Sequence, residues 1–319
     1  MIRLGLIRNP RSTRNKHGGG DFRVLAAQLL GLFYAEPATP EELAETLADF
    51  ARHEVGIIAI DGGDGTVREV LTALPGAYGD DLPALTIIAS GKTNLIAADV
   101  GTPGHGPRAI ARLVDAARQG KLGSRIHRRP VLEATWPGGS RPPVTGMFLG
   151  AGAFTRGTAL AQTEVHAKGV NHGPAVALTI ATVMARVLRG NDADGWLTGE
   201  PMRLSKDGAE DPGNPRFLML ATTLQRLVLG IWPFWGGGAE PIRWLDIEAH
   251  PRRLARALLP VMRGKPRPWM EAGGYRSGTC ATLDMTLRGD FIMDGEVFSP
   301  GPGGTVRLTA ARTVDFVIP

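Results

Sequence analysis

Cysteine is nearly missing from this chain. Cys280 is the single one in 319 residues, which excludes an intrachain disulfide and any metal site built on thiolates. The seven histidines are scattered, and His166 and His172, six apart, do not have a ligand spacing for one helix face. Aromatic residues make up 6% and do not interleave with the basic runs as a base-stacking surface would need. No DNA- or RNA-binding motif is visible either, so nucleic acid is not an expected partner. Long apolar runs are lacking as well: the most apolar window, Ala175 to Val187, is too short to span a bilayer and is expected to be a core helix. The opening Met1-Ile2-Arg3-Leu4-Gly5-Leu6-Ile7 has no signal-peptide pattern. A soluble, cytoplasmic protein is expected, with peripheral contact at the inner membrane face.

What is present is an ordinary globular composition, 43% apolar and 21% charged, long enough for a sizeable core and two domains. Glycine (43) and proline (24) are abundant, which predicts many turns. The net charge of +5 favours anionic partners, and nucleotide phosphates or an anionic bilayer suit it better than nucleic acid does.

Strand and helix signals alternate through residues 1–128, as in a doubly wound α/β domain. Arg3 to Arg8 predicts a strand, then Phe22, Leu25, Leu29 and Phe33 mark a helix face. Thr39-Pro40-Glu41-Glu42 has the pattern of a capping box that opens the next helix. Val55 to Ile60 predicts a buried parallel strand, and Val67, Val70, Leu71 and Leu74 lie on one face of the following helix. Leu85 to Ala89 is a further strand. The basic residues Lys121, Arg125, Arg128 and Arg129 are expected to form a solvated linker. Residues 129–319 then give successive strand-like runs, interrupted by helices near Pro174–Leu188 and Pro251–Met262. This predicts a β-rich, sandwich-like second domain, whose last strands are expected to return to the first.

The centre of the pattern is Asp61-Gly62-Gly63-Asp64-Gly65-Thr66, between a strand and a helix. Glycines let backbone N–H groups approach an anion, and a helix N-terminus adds its positive dipole end. Two carboxylates beside a phosphate call for a divalent cation or a proton-handling role. Ser90-Gly91-Lys92-Thr93 imitates a P-loop, but the required earlier glycine is Thr86, so that motif is rejected. The loops Asn9–Lys16, Gly62–Thr66 and Gly91–Asn94 should converge at the carboxyl edge of the sheet. Far downstream, Asp294-Gly295-Glu296 has the form of a hairpin turn with two carboxylates.

Gly62-Gly63-Asp64-Gly65-Thr66 with Glu69 resembles the nucleotide-binding signature of the diacylglycerol kinase catalytic-domain superfamily. That group includes bacterial lipid kinases and sphingosine kinases, with NAD kinases as distant relatives. Asn9-Pro10-Arg11-Ser12 is similar to the family's opening turn, and Gly91-Lys92-Thr93-Asn94 to part of a later one. Gly150-Ala151-Gly152-Ala153-Phe154, Gly236-Gly237-Gly238 with Pro241 and Leu245-Asp246, and Asp294-Gly295-Glu296 follow in family order. The resemblance implies ATP bound in a cleft between the two domains and Mg²⁺-dependent phosphate transfer to a lipid alcohol, diacylglycerol by default. It implies that Gly62, Gly63, Gly65 and Thr66 cradle the phosphates, with Asn9, Pro10, Ser12, Thr93 and Asn94 lining the nucleotide site. Thr39 matches a nucleotide-contacting threonine of some relatives, though its N-cap role explains it equally. Asp64 is implied at the metal or the acceptor hydroxyl, Asp294 near nucleotide or metal, and Glu296 as general base. Leu95 stands where the family has Asp, Thr13 where it has Gly, and Ile242-Arg243 where many relatives have Asp-Gly. The last departure bears on a structural metal at that position.

A lipid kinase must also reach a bilayer. Arg252, Arg253, Arg256, Arg263, Lys265 and Arg267 occupy a stretch without acidic residues from Pro251 to Met270, and Ile231-Trp232-Pro233-Phe234-Trp235 clusters aromatics. Membrane contact and a plain solvated helix face both account for these stretches. Two other functions stay open at this point: a kinase of a soluble nucleotide or cofactor, and a non-catalytic nucleotide- or lipid-binding member of the fold.

Overall fold

The computed structural model describes residues 3–16, 20–168, 195–211 and 213–319. The expected helix at Pro174–Leu188 and His172 lie outside these residues. The chain forms two compact units, one of Met1–Val131 with Arg312–Pro319 and one of Leu132–Ala311.

The first unit is a doubly wound α/β sheet. In chain order it contains β1 (Arg3–Arg8), α1 (Gly20–Leu30), β2 (Tyr34–Ala35), α2 (Pro40–Arg52) and β3 (Val55–Gly62). It continues with α3 (Asp64–Tyr78), β4 (Ala84–Ala89), α4 (Leu95–Val100), α5 (Gly106–Arg118) and β5 (Arg125–Pro130). The chain's final strand, β18 (Thr313–Ile318), completes a sheet of order β2-β1-β3-β4-β18-β5. All neighbours are parallel except β5, which runs antiparallel to β18. Near-continuous burial along β3 follows from helices covering both faces. Leu4, Leu6, Ile57 and Ala59 pack with Phe22 of α1 and Ile110 and Leu113 of α5. Side chains alternate along a strand, so Gly5 turns to the opposite face. There Phe50 of α2 comes so close that a Cβ on Gly5 would lie 2.7 Å from its ring.

Several expectations are corrected here. The strand runs through Gly62, so Asp61 and Gly62 are strand residues rather than loop. Of the basic residues expected in a solvated linker, Lys121, Arg125 and Arg128 are exposed, but Arg125, Arg128 and Arg129 lie on the edge strand β5 and Arg129 is buried against Asp99 at 2.7 Å. Leu25 and Leu29 are half-buried on α1, while Ala26 joins Phe22 in the core. Thr39 does cap α2, accepting the Glu42 N–H at 3.2 Å, and Glu42 in turn accepts the Ala38 N–H at 2.7 Å.

The second unit is a β-sandwich. One sheet is ordered β10-β9-β14-β17-β6-β7 and the other β13-β12-β11-β8-β15-β16. The strands are β6 (Leu132–Thr135), β7 (Val144–Gly146), β8 (Phe148–Gly152), β9 (Met202–Lys206), β10 (Ala209–Glu210) and β11 (Arg216–Thr222). They continue as β12 (Ile242–Glu248), β13 (Tyr275–Cys280), β14 (Thr282–Leu287), β15 (Phe291–Met293), β16 (Glu296–Phe298) and β17 (Thr305–Thr309). One apolar core between the sheets joins Leu132, Leu283 and Leu308 of the first to Leu149, Met219 and Phe291 of the second. Helix α6 (Ala153–Lys168) follows β8 directly and had no separate sequence signal; α7 spans Leu254–Met262. No helix among the described residues is long and apolar enough to cross a membrane.

Candidate active site

Three loops leave the carboxyl ends of β1, β3 and β4 and bond to one another, as parallel strands require of loops at one sheet edge. The Asn9 N–H donates to Asp61 O at 2.9 Å, Ser90 N–H to Gly62 O at 2.9 Å, and Arg14 N–H to Ser90 O at 3.0 Å. Side chains tighten the junction. Asn9 Nδ2 donates to Thr66 Oγ1 at 2.9 Å, Asn15 Nδ2 to Asn9 O at 2.9 Å, and Arg14 Nη1 to Ala89 O at 3.0 Å. Pro10 and Ser12 sit inside the first turn, with Ser12 N–H on Asn9 O at 3.2 Å. Asn94, in the left-handed region at φ 51°, accepts Gly91 N–H at 2.8 Å and donates to Gly91 O at 2.9 Å. Lys92 and Thr93 are exposed on the same turn. Thr39 stays with α2 as its cap.

The glycines here are set by contact distance. A Cβ on Gly91 would fall 2.5 Å from Gly63 Cα, and one on Gly62 2.5 Å from Thr66 Cβ. Neither pair tolerates a side chain, so the loops meet backbone to backbone. Behind Gly63 starts α3, whose first internal bond is Val67 N–H to Gly63 O at 3.1 Å. The amides of Gly65 and Thr66 therefore have no acceptor within the helix, and the dipole end of a 15-residue helix faces the same point. Arg11, Arg14, Lys16 and Lys92 are exposed around this edge. The arrangement fits a phosphate group: bare backbone, helix amides and basic side chains at one place.

The two carboxylates of the central loop differ in role. Asp61 is buried, accepting Arg8 Nε at 3.2 Å and the Ser90 hydroxyl. Burial pushes its carboxyl up, while the hydrogen bonds of Ser90 and Asn15 and the Arg8 charge pull it back. Arg8 also donates to Glu36 at 2.7 Å, and Glu36 is held as well by Arg23 at 2.7 Å and by the Tyr34 hydroxyl. Asp61 is thus part of the framework under the site. Nothing in the sequence marks Arg8, Glu36 or Ser90 beyond charge or hydroxyl at a strand end. Asp64 is half-buried at the start of α3, and its two oxygens accept Leu95 and Ile96 N–H at 3.0 Å each. Burial again pushes its carboxyl up, against these amides. The positive end of α4 is therefore already matched by Asp64, whereas the Gly65 and Thr66 amides of α3 have no acceptor within their helix.

In the second unit, Asp294 and Gly295 form the two-residue turn between β15 and β16, with φ of 46° and 88° and Met293 opposite Glu296. Such turns need positive φ at both central residues. The Asp294 carboxylate is buried and accepts Met147 N–H at 2.7 Å and Phe148 N–H at 3.1 Å. Glu296 is exposed directly after the turn. Asp294 therefore holds the hairpin that presents Glu296.

The Leu245-Asp246 strand carries a buried charge cluster that sequence reasoning did not foresee. Asp246 forms ion pairs with Arg216 at 2.7 Å, Arg276 at 3.2 Å and Lys206 at 3.5 Å, and Arg216 also meets Asp211 at 2.8 Å. Three side-chain cations already face these carboxylates, so the donor set does not fit a structural metal. Among the described residues no group of three His, Cys, Asp or Glu side chains is gathered for one.

Residues 3–123 match the family model of the diacylglycerol kinase catalytic domain. Lipid kinase YegS of Escherichia coli (strain K12) is 40% identical over 62 residues, 19% of this chain and 21% of that one. A relative from Shigella flexneri carrying the same YegS name is 49% identical over 49 residues, 15% of this chain and 16% of its own length. The matches thus span about a fifth or less of these curated relatives. A crystal structure of a diacylglycerol kinase from Bacillus anthracis str. Sterne superposes with a TM-score of 0.57 at 16% identity, covering 98% of this chain and 96% of that one. At that identity the likeness is one of fold.

Proposed function

Since residues 3–123 match the family model of the diacylglycerol kinase catalytic domain, we propose that the chain is an ATP- and Mg²⁺-dependent kinase of a lipid alcohol. Diacylglycerol is the default acceptor, with phosphatidic acid as product. The observation that carries this reading is the open N-terminus of α3 at Gly63–Thr66, where two further loops meet. Gly62, Gly63, Gly65 and Thr66 take the phosphates, with the turns holding Asn9, Pro10, Ser12, Thr93 and Asn94 beside them. Thr39 is assigned no contact beyond its cap.

Mg²⁺, when bound, offsets phosphate charge; it takes few protein ligands and keeps several waters. Asp64 is its candidate ligand, being a half-buried carboxylate at the start of α3 beside the phosphate loop. Asp294, whose buried carboxylate also accepts one amide per oxygen, supports its hairpin and is kept as the second candidate near the nucleotide or metal. Glu296 takes the proton of the acceptor hydroxyl while that oxygen bonds to the γ-phosphorus and ADP departs.

The test is phosphate transfer from radiolabelled ATP to a panel of lipid alcohols in mixed micelles. The parent should label a diacyl or single-chain lipid alcohol, and Glu296→Gln should lower the rate about a hundredfold or more. Transfer to a soluble alcohol without micelles would replace the lipid acceptor by a soluble one. Tight ATP binding without turnover on any acceptor would make the protein a binding module.

A further inference from the structure

Two apolar elements of the second unit are fastened to each other, and each exposes a leucine. Helix α7 reads Leu254-Ala255-Arg256-Ala257-Leu258-Leu259-Pro260-Val261-Met262, yet only Ala257 is buried and Leu259 is 54% exposed. The second element is the turn Leu227–Trp232. Its tip, Leu229, is 61% exposed with φ of 59°, a left-handed conformation uncommon for a non-glycine residue. The Trp232 N–H donates to Met262 O at 2.8 Å. Gly264 sits so close beneath that a Cβ would lie 2.7 Å from Trp232 O and 2.4 Å from Phe234 O. The turn is thus anchored on the end of the helix.

Charge defines the surroundings. Arg252, Arg253, Arg256, Arg263, Lys265 and Arg267 are all exposed, and no acidic residue occurs between Pro251 and Met270. Arg243 lies over the Trp232 ring at 5.6 Å and Arg253 over Trp269 at 5.6 Å. These contacts hold guanidinium groups beside the two tryptophans. A core helix face would carry buried leucines, and a plain solvated face would lack the apolar tip at Leu229. Apolar side chains ringed by cations match the order of a bilayer surface, with acyl chains beneath anionic headgroups.

We propose that α7 and the Leu227–Trp232 turn form a docking surface for an anionic lipid bilayer, with Leu229 and Leu259 entering the acyl boundary and the arginines contacting headgroups. The surface stands on geometry and charge apart from the phosphate site, and it is tested without nucleotide or acceptor, so it fails or holds independently of the kinase reading.

The experiment is co-sedimentation of the full chain with vesicles of phosphatidylcholine alone or with roughly one-third phosphatidylglycerol. Binding is expected to the anionic vesicles only and to weaken at high salt. Leu229→Asn with Leu259→Gln should lower binding about tenfold or more; Asn tolerates the left-handed tip, so the turn itself is kept. Arg256→Gln with Arg263→Gln should lower it similarly. Circular dichroism checks that each variant is folded, and single Leu229→Asn serves if the pair is not. Absence of binding to anionic vesicles, or binding by the apolar and basic variants equal to that of the parent, overturns the proposal. So does concentration-dependent dimerisation abolished by the leucine variants, which would assign this face to a second copy of the chain.

Discussion

The Oδ2 of Asp64, first residue of α3, accepts the N–H of Leu95, first residue of α4, at 3.0 Å. One helix start is thereby capped by a side chain from another. Asn94, the local cap, gives its own carboxamide to Gly91, so the work of capping α4 passes to Asp64.

Asp64→Ala should therefore lower stability by about 2–3 kcal/mol, because two amides bonded to a charged acceptor lose it together. Asp64→Asn keeps one acceptor and should lose about half as much. Urea unfolding measures both. An unchanged midpoint for Asp64→Ala would show that the amides find other acceptors, and lost activity in that variant could then be credited to chemistry.

How far this was visible in the sequence depends on the range of the interaction. The apolar strand before Asp61, the helix face after Thr66 and the Thr39 cap are local patterns, and each appears where its residues predicted it. The meeting of three loops followed from one topological rule about parallel strands. Partners set by tertiary contact left no trace: Arg8 with Asp61, Asp64 with Leu95, Arg216 with Asp246. The strand that replaces part of the linker expected at Lys121, Arg125, Arg128 and Arg129 was hidden for the same reason. Its charges suit an edge strand only once β18 returns from the far end of the chain to pair with it.

Glu36 gives a pH signature. Burial alone would raise its carboxyl, but hydrogen bonds from Arg23, Tyr34 and Arg8 outweigh that and hold it at about 2, against an ordinary 4.5. A lowered folded value stabilises the fold above the unfolded pKa and loses that contribution as pH falls from 4.5 towards 2. Glu36→Gln should cost up to about 3 kcal/mol at neutral pH. It should also flatten the acid limb of the stability curve. Parallel acid limbs for parent and variant would refute the assignment.

The Arg216 guanidinium lies between two carboxylates, 2.7 Å from Asp246 and 2.8 Å from Asp211, in a fully buried position. Removing one partner of a buried pair strands the other, at a cost of about 3–5 kcal/mol. Arg216→Met should show that loss in denaturant unfolding. Because side-chain cations compensate Asp246, adding a chelator should leave the melting temperature of the parent unmoved. A chelator-induced drop that persists in Asp64→Ala would mean that a metal shares the cluster after all.

Asp294 and Glu296 lie two residues apart, and substitution should separate them. Asp294→Ala removes the acceptor for Met147 and Phe148 N–H and places a methyl side chain at φ 46°. Together these should cost about 2–4 kcal/mol. Gly146 belongs to the same device, since a Cβ there would lie 2.2 Å from Asp294 Oδ2. Glu296→Gln changes one exposed carboxylate at equal volume and should shift stability by less than about 0.5 kcal/mol. If Glu296 is the base, its variant loses turnover with an unchanged melting temperature, and raising the pH does not restore it. Asp294→Ala loses both together, because the hairpin no longer holds Glu296 in place. Equal losses of stability in the two variants would assign Glu296 to the fold, and the proton would then need another acceptor.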